Sequence, residues 1–199
     1  MVKQFSERDN IPTPVLPDRL FIGSLGAASN REGLDAAGIT HILCVASSLP
    51  ILQVDHIPIL IPAQLCSPVV VRFDLTRFPE HFVCERLPLA DVPTARLDNV
   101  LPAGIAFIDR ALAEGGRVLV HCYVGRSRSA SMVLAYLICR NGMTLEDAMQ
   151  LLKRVRPQVQ PNSGFMAQLR SLESQQASES MVRNAATEKV DKEVKNPAR

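Results

Sequence analysis

The segment Val118-Leu119-Val120-His121-Cys122-Tyr123-Val124-Gly125-Arg126-Ser127-Arg128-Ser129 decides how this chain folds. It opens as a short apolar run with β-branched residues, crosses a polar loop, and continues into Ala130-Ser131-Met132-Val133-Leu134-Ala135-Tyr136-Leu137-Ile138. That second run is apolar on every side, as a buried helix is. A strand therefore feeds a buried helix. The first N–H groups of such a helix lack intrahelical partners and the macrodipole is positive there, so the intervening loop suits an anion such as phosphate. A cysteine in that position sits in a field that favours thiolate over thiol, which makes Cys122 a candidate nucleophile.

Arg128 adds to that field, and its planar fork can hold two phosphate oxygens at once. The five residues between it and Cys122 let the backbone amides of the loop wrap a tetrahedral anion. Gly125 supplies a positive φ where the chain must turn. The Ser129 hydroxyl is placed to hydrogen-bond the sulfur as it departs, and His121 reads as a residue that fixes the loop rather than attacking.

His121-Cys122, five residues and Arg128-Ser129 resemble the signature of the cysteine-dependent protein tyrosine phosphatases. Gly125-Arg126-Ser127-Arg128-Ser129 is similar to the small dual-specificity branch, and to its plant members in particular. Val124 stands where that family often has alanine. The resemblance implies an α/β fold with a central mixed sheet flanked by helices and a phosphate-binding loop between strand and helix. It also implies hydrolysis of phosphotyrosine and phosphoserine or phosphothreonine through a phosphocysteine, with no cofactor and no metal. Cys122, Arg128 and Ser129 take the catalytic places, and His121, Tyr123, Val124, Gly125, Arg126 and Ser127 form the substrate-binding loop. The family's general acid is an aspartate that follows a strand upstream of the nucleophile. Asp91, 31 residues before Cys122, takes that place. Asp98 is the alternative, although it opens a helix, where an acidic residue is commonplace.

A chain of 199 residues with 47% apolar content suits one domain with an ordinary core. The formal charge of +2, the absence of Trp and the presence of only two Tyr speak against a nucleic-acid partner. Cys44, Cys66, Cys84, Cys122 and Cys139 are odd in number and contain no CxxC pair, which suits a reducing compartment better than a disulfide framework or a zinc module. Lys3, Glu7, Arg8 and Asp9 interrupt any signal-peptide core, and no run reaches the ~20 residues a spanning helix needs. Cytoplasmic or nuclear location is therefore expected.

Residues 1–16, with Pro12 and Pro14, read as a flexible lead-in. A dual-specificity phosphatase-like domain is expected over residues 17–173. Leu20-Phe21-Ile22-Gly23 reads as a strand, and Ser29-Asn30-Arg31-Glu32 has the spacing of a capping box for a short helix ending before Gly38. Ile39 to Val45 reads as a strand covered on both faces. Residues 51–78 break the pattern as an atypical insertion, mixing prolines with Ile59-Leu60-Ile61 and Val69-Val70-Val71. Phe82 to Leu87 resumes as a strand, Val100 to Ala113 as a helix ended by Gly115-Gly116, and Thr144-Leu145-Glu146-Asp147 opens another helix that stops before Pro157. Pro161-Asn162-Ser163-Gly164-Phe165-Met166-Ala167-Gln168-Leu169 is similar to the family's closing motif. It reads as core packing, with Asn162 as N-cap and Phe165 and Leu169 turned inward. From Ser174 the chain is polar and charge-mixed, so a disordered tail over 174–199 is expected.

A protein phosphatase is the favoured reading, with a phosphoprotein, for example a protein kinase, as substrate. A phosphatase-like binding module without turnover, or a phosphatase of a phosphoinositide, an RNA 5′ end or a glucan, are the alternatives. If residues 51–78 are an addition that the sheet does not need, replacing them with a short Gly/Ser loop leaves phosphatase turnover nearly intact and improves solubility. Melting temperature and turnover of that deletion check it, and loss of folding would identify the segment as an integral layer.

Overall fold

The computed structural model describes residues 10–47 and 80–195, with side chains described as far as residue 180. The sequence expectations for residues 51–78 lie outside the described residues.

Among the described residues, five strands form one sheet. In chain order they are β1 (Thr13–Leu16), β2 (Leu20–Gly23), β3 (His41–Val45), β4 (Val83–Leu87) and β5 (Val118–His121). Their spatial order is β1-β2-β5-β3-β4. β1 is antiparallel to β2 and the other pairings are parallel, so the sheet is mixed, and β5, which leads to Cys122, lies at its centre. A parallel sheet needs cover on both faces, and alternation along the strands supplies it. Leu20, Ile22, Leu43, Val45, Val118 and Val120 enter the larger core cluster. Phe21, Ile42 and Leu119 enter a second cluster with Leu34 and Ile39.

The helices are α1 (Leu25–Ser29), α2 (Arg31–Ala36), α3 (Leu101–Ala113), α4 (Arg128–Asn141), α5 (Leu145–Val155) and α6 (Ser163–Lys195). α1 and α2 supply Ala28 and Leu34 to the smaller cluster, while α3 to α6 build the larger one. α4 is the central helix. Every residue from Ser129 to Ile138 is buried, and the helix closes on Gly142 at φ +63°, the left-handed conformation glycine adopts without penalty. α3 buries Leu101, Ile105, Ile108 and Leu112 on one stripe. α5 starts on Thr144, whose hydroxyl accepts the Asp147 N–H at 3.1 Å.

The structure corrects the sequence reading in four places. Thr13–Leu16 is an ordered strand within the expected lead-in, possible despite Pro14 because β1 is at the sheet edge, where a missing N–H costs no ladder bond. α1 precedes the expected short helix, its start fixed by the Ser24 hydroxyl accepting the Ala27 N–H at 3.3 Å. The following helix is capped by Asn30 rather than Ser29, because the Asn30 side-chain oxygen reaches the Gly33 N–H at 3.0 Å. Finally, α6 runs on to Lys195 where a disordered tail was expected. Between Phe165 and Asn196 there is neither Gly nor Pro, and the Ala, Glu, Gln, Lys and Met residues there are good helix formers.

Candidate active site

β5 ends at His121 and α4 begins at Arg128, so the loop between them occupies the strand-to-helix junction. Gly125 turns this loop at φ +73°. A Cβ there would meet the Gly23 carbonyl oxygen at 2.5 Å, so both conformation and space require glycine. The Gly125 N–H donates to Cys122 Sγ at 3.3 Å, and Ser129 Oγ lies 3.2 Å from the same sulfur. One amide and one hydroxyl are therefore aimed at the atom expected to carry negative charge.

The loop is held from behind by Arg156, only 2% exposed. Its Nε donates to Gly125 O at 3.0 Å and its Nη2 to Val124 O at 3.0 Å, while Nη1 reaches Thr13 Oγ1 at 3.3 Å. In a trans peptide the carbonyl of one residue and the N–H of the next point in opposite directions. Turning the Val124 and Gly125 carbonyls toward a buried guanidinium thus turns the N–H groups of Gly125 and Arg126 the other way. The sequence showed Arg156 only as a helix stop before proline. No local signal marks its role, since its partners lie about 30 residues away along the chain.

A cavity of about 400 Å³ opens over the loop, lined by Asp91, Cys122, Val124, Arg126, Ser127, Arg128 and the stretch Gln160, Pro161, Asn162 and Ser163. Asp91 accepts a hydrogen bond from Ser127 Oγ at 2.6 Å and another from Asn162 Nδ2 at 3.0 Å. Its other oxygen is 3.6 Å from Arg128 Nε, an ion-pair contact too long for a hydrogen bond. Arg128 Nη1 reaches Leu89 O at 3.5 Å. Arg128 Nε is buried with no hydrogen-bond partner, and a buried guanidinium donor left without an acceptor is costly. Arg126 sits at the rim, its Nη2 on Gln160 Oε1 and its carbonyl accepting the Gln160 N–H at 2.8 Å.

Of the residues singled out from the sequence, Cys122, Arg128, Asp91, Val124, Arg126 and Ser127 share this cavity, with Ser129 and Gly125 directly behind the sulfur. His121 and Tyr123 do not line it. His121 is 1% exposed with Nδ1 3.3 Å from Cys122 O, and the Tyr123 carbonyl accepts the Leu25 N–H at 3.0 Å, so both serve the loop from behind. Asp98 is exposed, paired with Arg96 and away from the cavity. Cys44 lies beside the site on β3, opposite His121. Burial pushes its thiol up to about 12, which leaves it protonated and suits a core cysteine. Asn162, expected only as a cap, does cap α6 by accepting the Phe165 N–H at 2.9 Å, but its amide also grips Asp91. Among the described residues, no group of three or more His, Cys, Asp or Glu could hold a metal ion.

Residues 20–175 match the family described as dual specificity phosphatase, catalytic domain. Dual specificity protein phosphatase 1 of Arabidopsis thaliana is 39% identical over 165 residues, covering 83% of this chain and 70% of that protein. Dual specificity protein phosphatase 1B of the same plant is 35% identical over 154 residues, 77% of each. Among solved structures, the human tyrosine phosphatase-like serine/threonine/tyrosine-interacting protein superposes with a TM-score of 0.65 at 32% identity, covering 83% of this chain and 97% of that one. A mouse putative dual specificity phosphatase complexed with zinc tungstate gives 0.66 at 30% identity, covering 90% and 97%.

Burial pushes the His121 imidazole down to about 4, whereas in an unfolded chain it titrates near ~6.5. Between those values the unfolded state binds the extra proton, so stability is complete above about pH 6.5 and is lost as pH falls toward 4. The linkage is on the order of 3 kcal/mol, and burial lowers His41 in the same direction. Urea midpoints should therefore drop between pH 7 and pH 4.5. His121→Asn, which keeps an amide donor for the Cys122 carbonyl but does not titrate, should show a shallower drop.

Proposed function

The chain belongs to the dual specificity phosphatase family, and from that premise we propose how its residues divide the work of hydrolysing phosphate esters on proteins. Cys122 Sγ attacks phosphorus in line, forming the S–P bond as the P–O bond to the leaving group breaks. Asp91 gives its proton to the departing oxygen. Water then attacks the phosphocysteine, Asp91 takes a proton from it, the S–P bond breaks, and inorganic phosphate leaves with the enzyme restored. The Ser129 hydroxyl, 3.2 Å from the sulfur, stabilises the thiolate released in this second step.

The observation that carries this assignment is the buried Nε of Arg128, which makes no hydrogen bond and belongs to a residue lining the same cavity as Cys122. A phosphoryl oxygen accepts from that Nε, and the outward-facing amides of the loop take the other oxygens where charge must be stabilised. Asp91 is held 3.6 Å from the same guanidinium and lines the same cavity as Cys122. The exposed Asp98, paired with Arg96, has no such position.

The activity is that of a hydrolytic protein phosphatase, and family membership does not favour the binding-module or non-protein-substrate alternatives. For its setting we propose signalling in the cytoplasm or nucleus, on a phosphorylated protein such as a kinase. Support comes from cysteines without CxxC spacing, which suits a reducing compartment. Among the described residues no helix is long and apolar enough to cross a membrane.

Cys122→Ser is expected to lower turnover about a thousandfold or more while phosphopeptide binding survives, because the amide cradle and Arg128 remain. Asp91→Asn should slow esters with poor leaving groups by ~10²–10⁴-fold and activated aryl phosphates far less. Steady-state kinetics on the two ester classes check both. Retained turnover in Cys122→Ser, or leaving-group dependence in Asp98→Asn instead of Asp91→Asn, would contradict the assignment.

A further inference from the structure

The segment that carries Asp91 is anchored unevenly. Leu89 and Leu97 are buried in the main core, and the Leu89 carbonyl accepts the Ser47 N–H at 3.0 Å. Between these anchors every residue from Ala90 to Thr94 is exposed. An exposed loop of this kind does not hold a carboxylate within hydrogen-bonding reach of a cavity without a second surface to rest on.

The first two turns of α6 are that surface. A Cβ placed on Gly164 would collide with the Pro93 carbonyl oxygen and lie 2.7 Å from Pro93 Cα. The loop backbone therefore rests directly on the helix where only hydrogen projects. Its φ is not in the left-handed region, so the glycine is required by close approach and not by backbone conformation. One turn further along, the Gln168 amide meets the loop as a strand would. Its Oε1 accepts the Leu97 N–H at 2.8 Å and its Nε2 donates to Ala95 O at 2.9 Å. Nε2 also lies 3.2 Å from Gly164 O, which ties the two contacts together. Asn162 completes the row by holding Asp91 itself at 3.0 Å.

We infer that Gly164 and Gln168 are positioning residues for the acid: the start of α6 is a dock that sets how far Asp91 reaches over the phosphate cradle. The inference rests on Asp91 being the acid of the proposed reaction. It also gives the closing segment Pro161 to Leu169 a second role beside packing. Phe165 and Leu169, both fully buried, face the core. Asn162, Gly164 and Gln168, on the remaining positions of the same turns, hold the loop.

Gly164→Ala and Gln168→Leu separate this role from a structural one. Alanine is the better helix former, so Gly164→Ala leaves α6 intact while pushing Pro93 away. Gln168→Leu keeps the side-chain bulk and removes both bonds to the loop. The test measures kcat/KM on phenyl phosphate, whose leaving group needs a proton, and on 2,4-dinitrophenyl phosphate, whose leaving group does not, with pH profiles for wild type, both variants and Asp91→Asn. Each variant should lose about tenfold or more on the first ester and less than about threefold on the second, with the basic limb of the pH profile flattened as in Asp91→Asn. Equal losses on both esters, or no loss, in variants with wild-type circular dichroism would overturn the dock. If Asp91→Asn shows the leaving-group split and the dock variants do not, only this inference fails. If Asp91→Asn shows no split, the acid assignment falls and the dock with it.

Discussion

A buried guanidinium holds the catalytic loop in shape. Arg156 is enclosed where α5 ends, and its donors are spent on the carbonyls of Val124 and Gly125 and on Thr13 at the sheet edge. Burying an arginine is unfavourable unless its donors are satisfied, and here the acceptors are backbone oxygens that would otherwise face inward without partners. Each side solves the other's problem. The loop needs its amides outward to bind an anion, so its carbonyls must turn inward, and Arg156 is the group that makes this tolerable. Removal of that side chain would leave buried carbonyls unsatisfied and the loop free to turn over, with loss of the amide aimed at Cys122 Sγ.

In front of the loop, Arg128 faces both the cavity and Asp91. Arg128 touches Asp91 Oδ2 only at ion-pair distance, and its Nε lacks an acceptor. An incoming phosphate dianion competes for this guanidinium and brings negative charge toward the carboxylate. Substrate binding and the placement of the proposed acid are thereby linked through one side chain. The bonds from Ser127 and Asn162 keep the carboxyl in place while its charge changes.

The parts legible in the sequence were those set by neighbours along the chain. The strand-loop-helix around Cys122, the turn at Gly125, the end of α4 at Gly142 and the caps at Thr144 and Asn162 follow from local conformation and local hydrogen bonding. Strands β2, β3 and β5 followed from apolar runs, and β4 from a looser alternation that resumes the family pattern. β1 was hidden because Pro14 reads as a strand breaker, which holds for central strands but not for an edge. α1 was hidden because Leu25-Gly26-Ala27-Ala28 has no amphipathic period, and the length of α6 because a polar composition suggests disorder more readily than an exposed helix. The roles of Arg156, Asn162, Gly164 and Gln168 depend on partners about 30 to 70 residues away along the chain. Nothing in a single sequence shows such pairings, even where the motif containing them is plain.

The account turns on Cys122 becoming covalently phosphorylated, so the decisive measurement is an acid quench of the protein during turnover, followed by peptide mass spectrometry. Asp91→Asn is the form to use, because the water-dependent second step loses its base and the intermediate accumulates. The account predicts a phosphoryl group on the peptide containing Cys122, absent when Cys122→Ala is treated in the same way. Turnover that proceeds with no phosphorylated cysteine, or with the phosphoryl group on another residue, would contradict it.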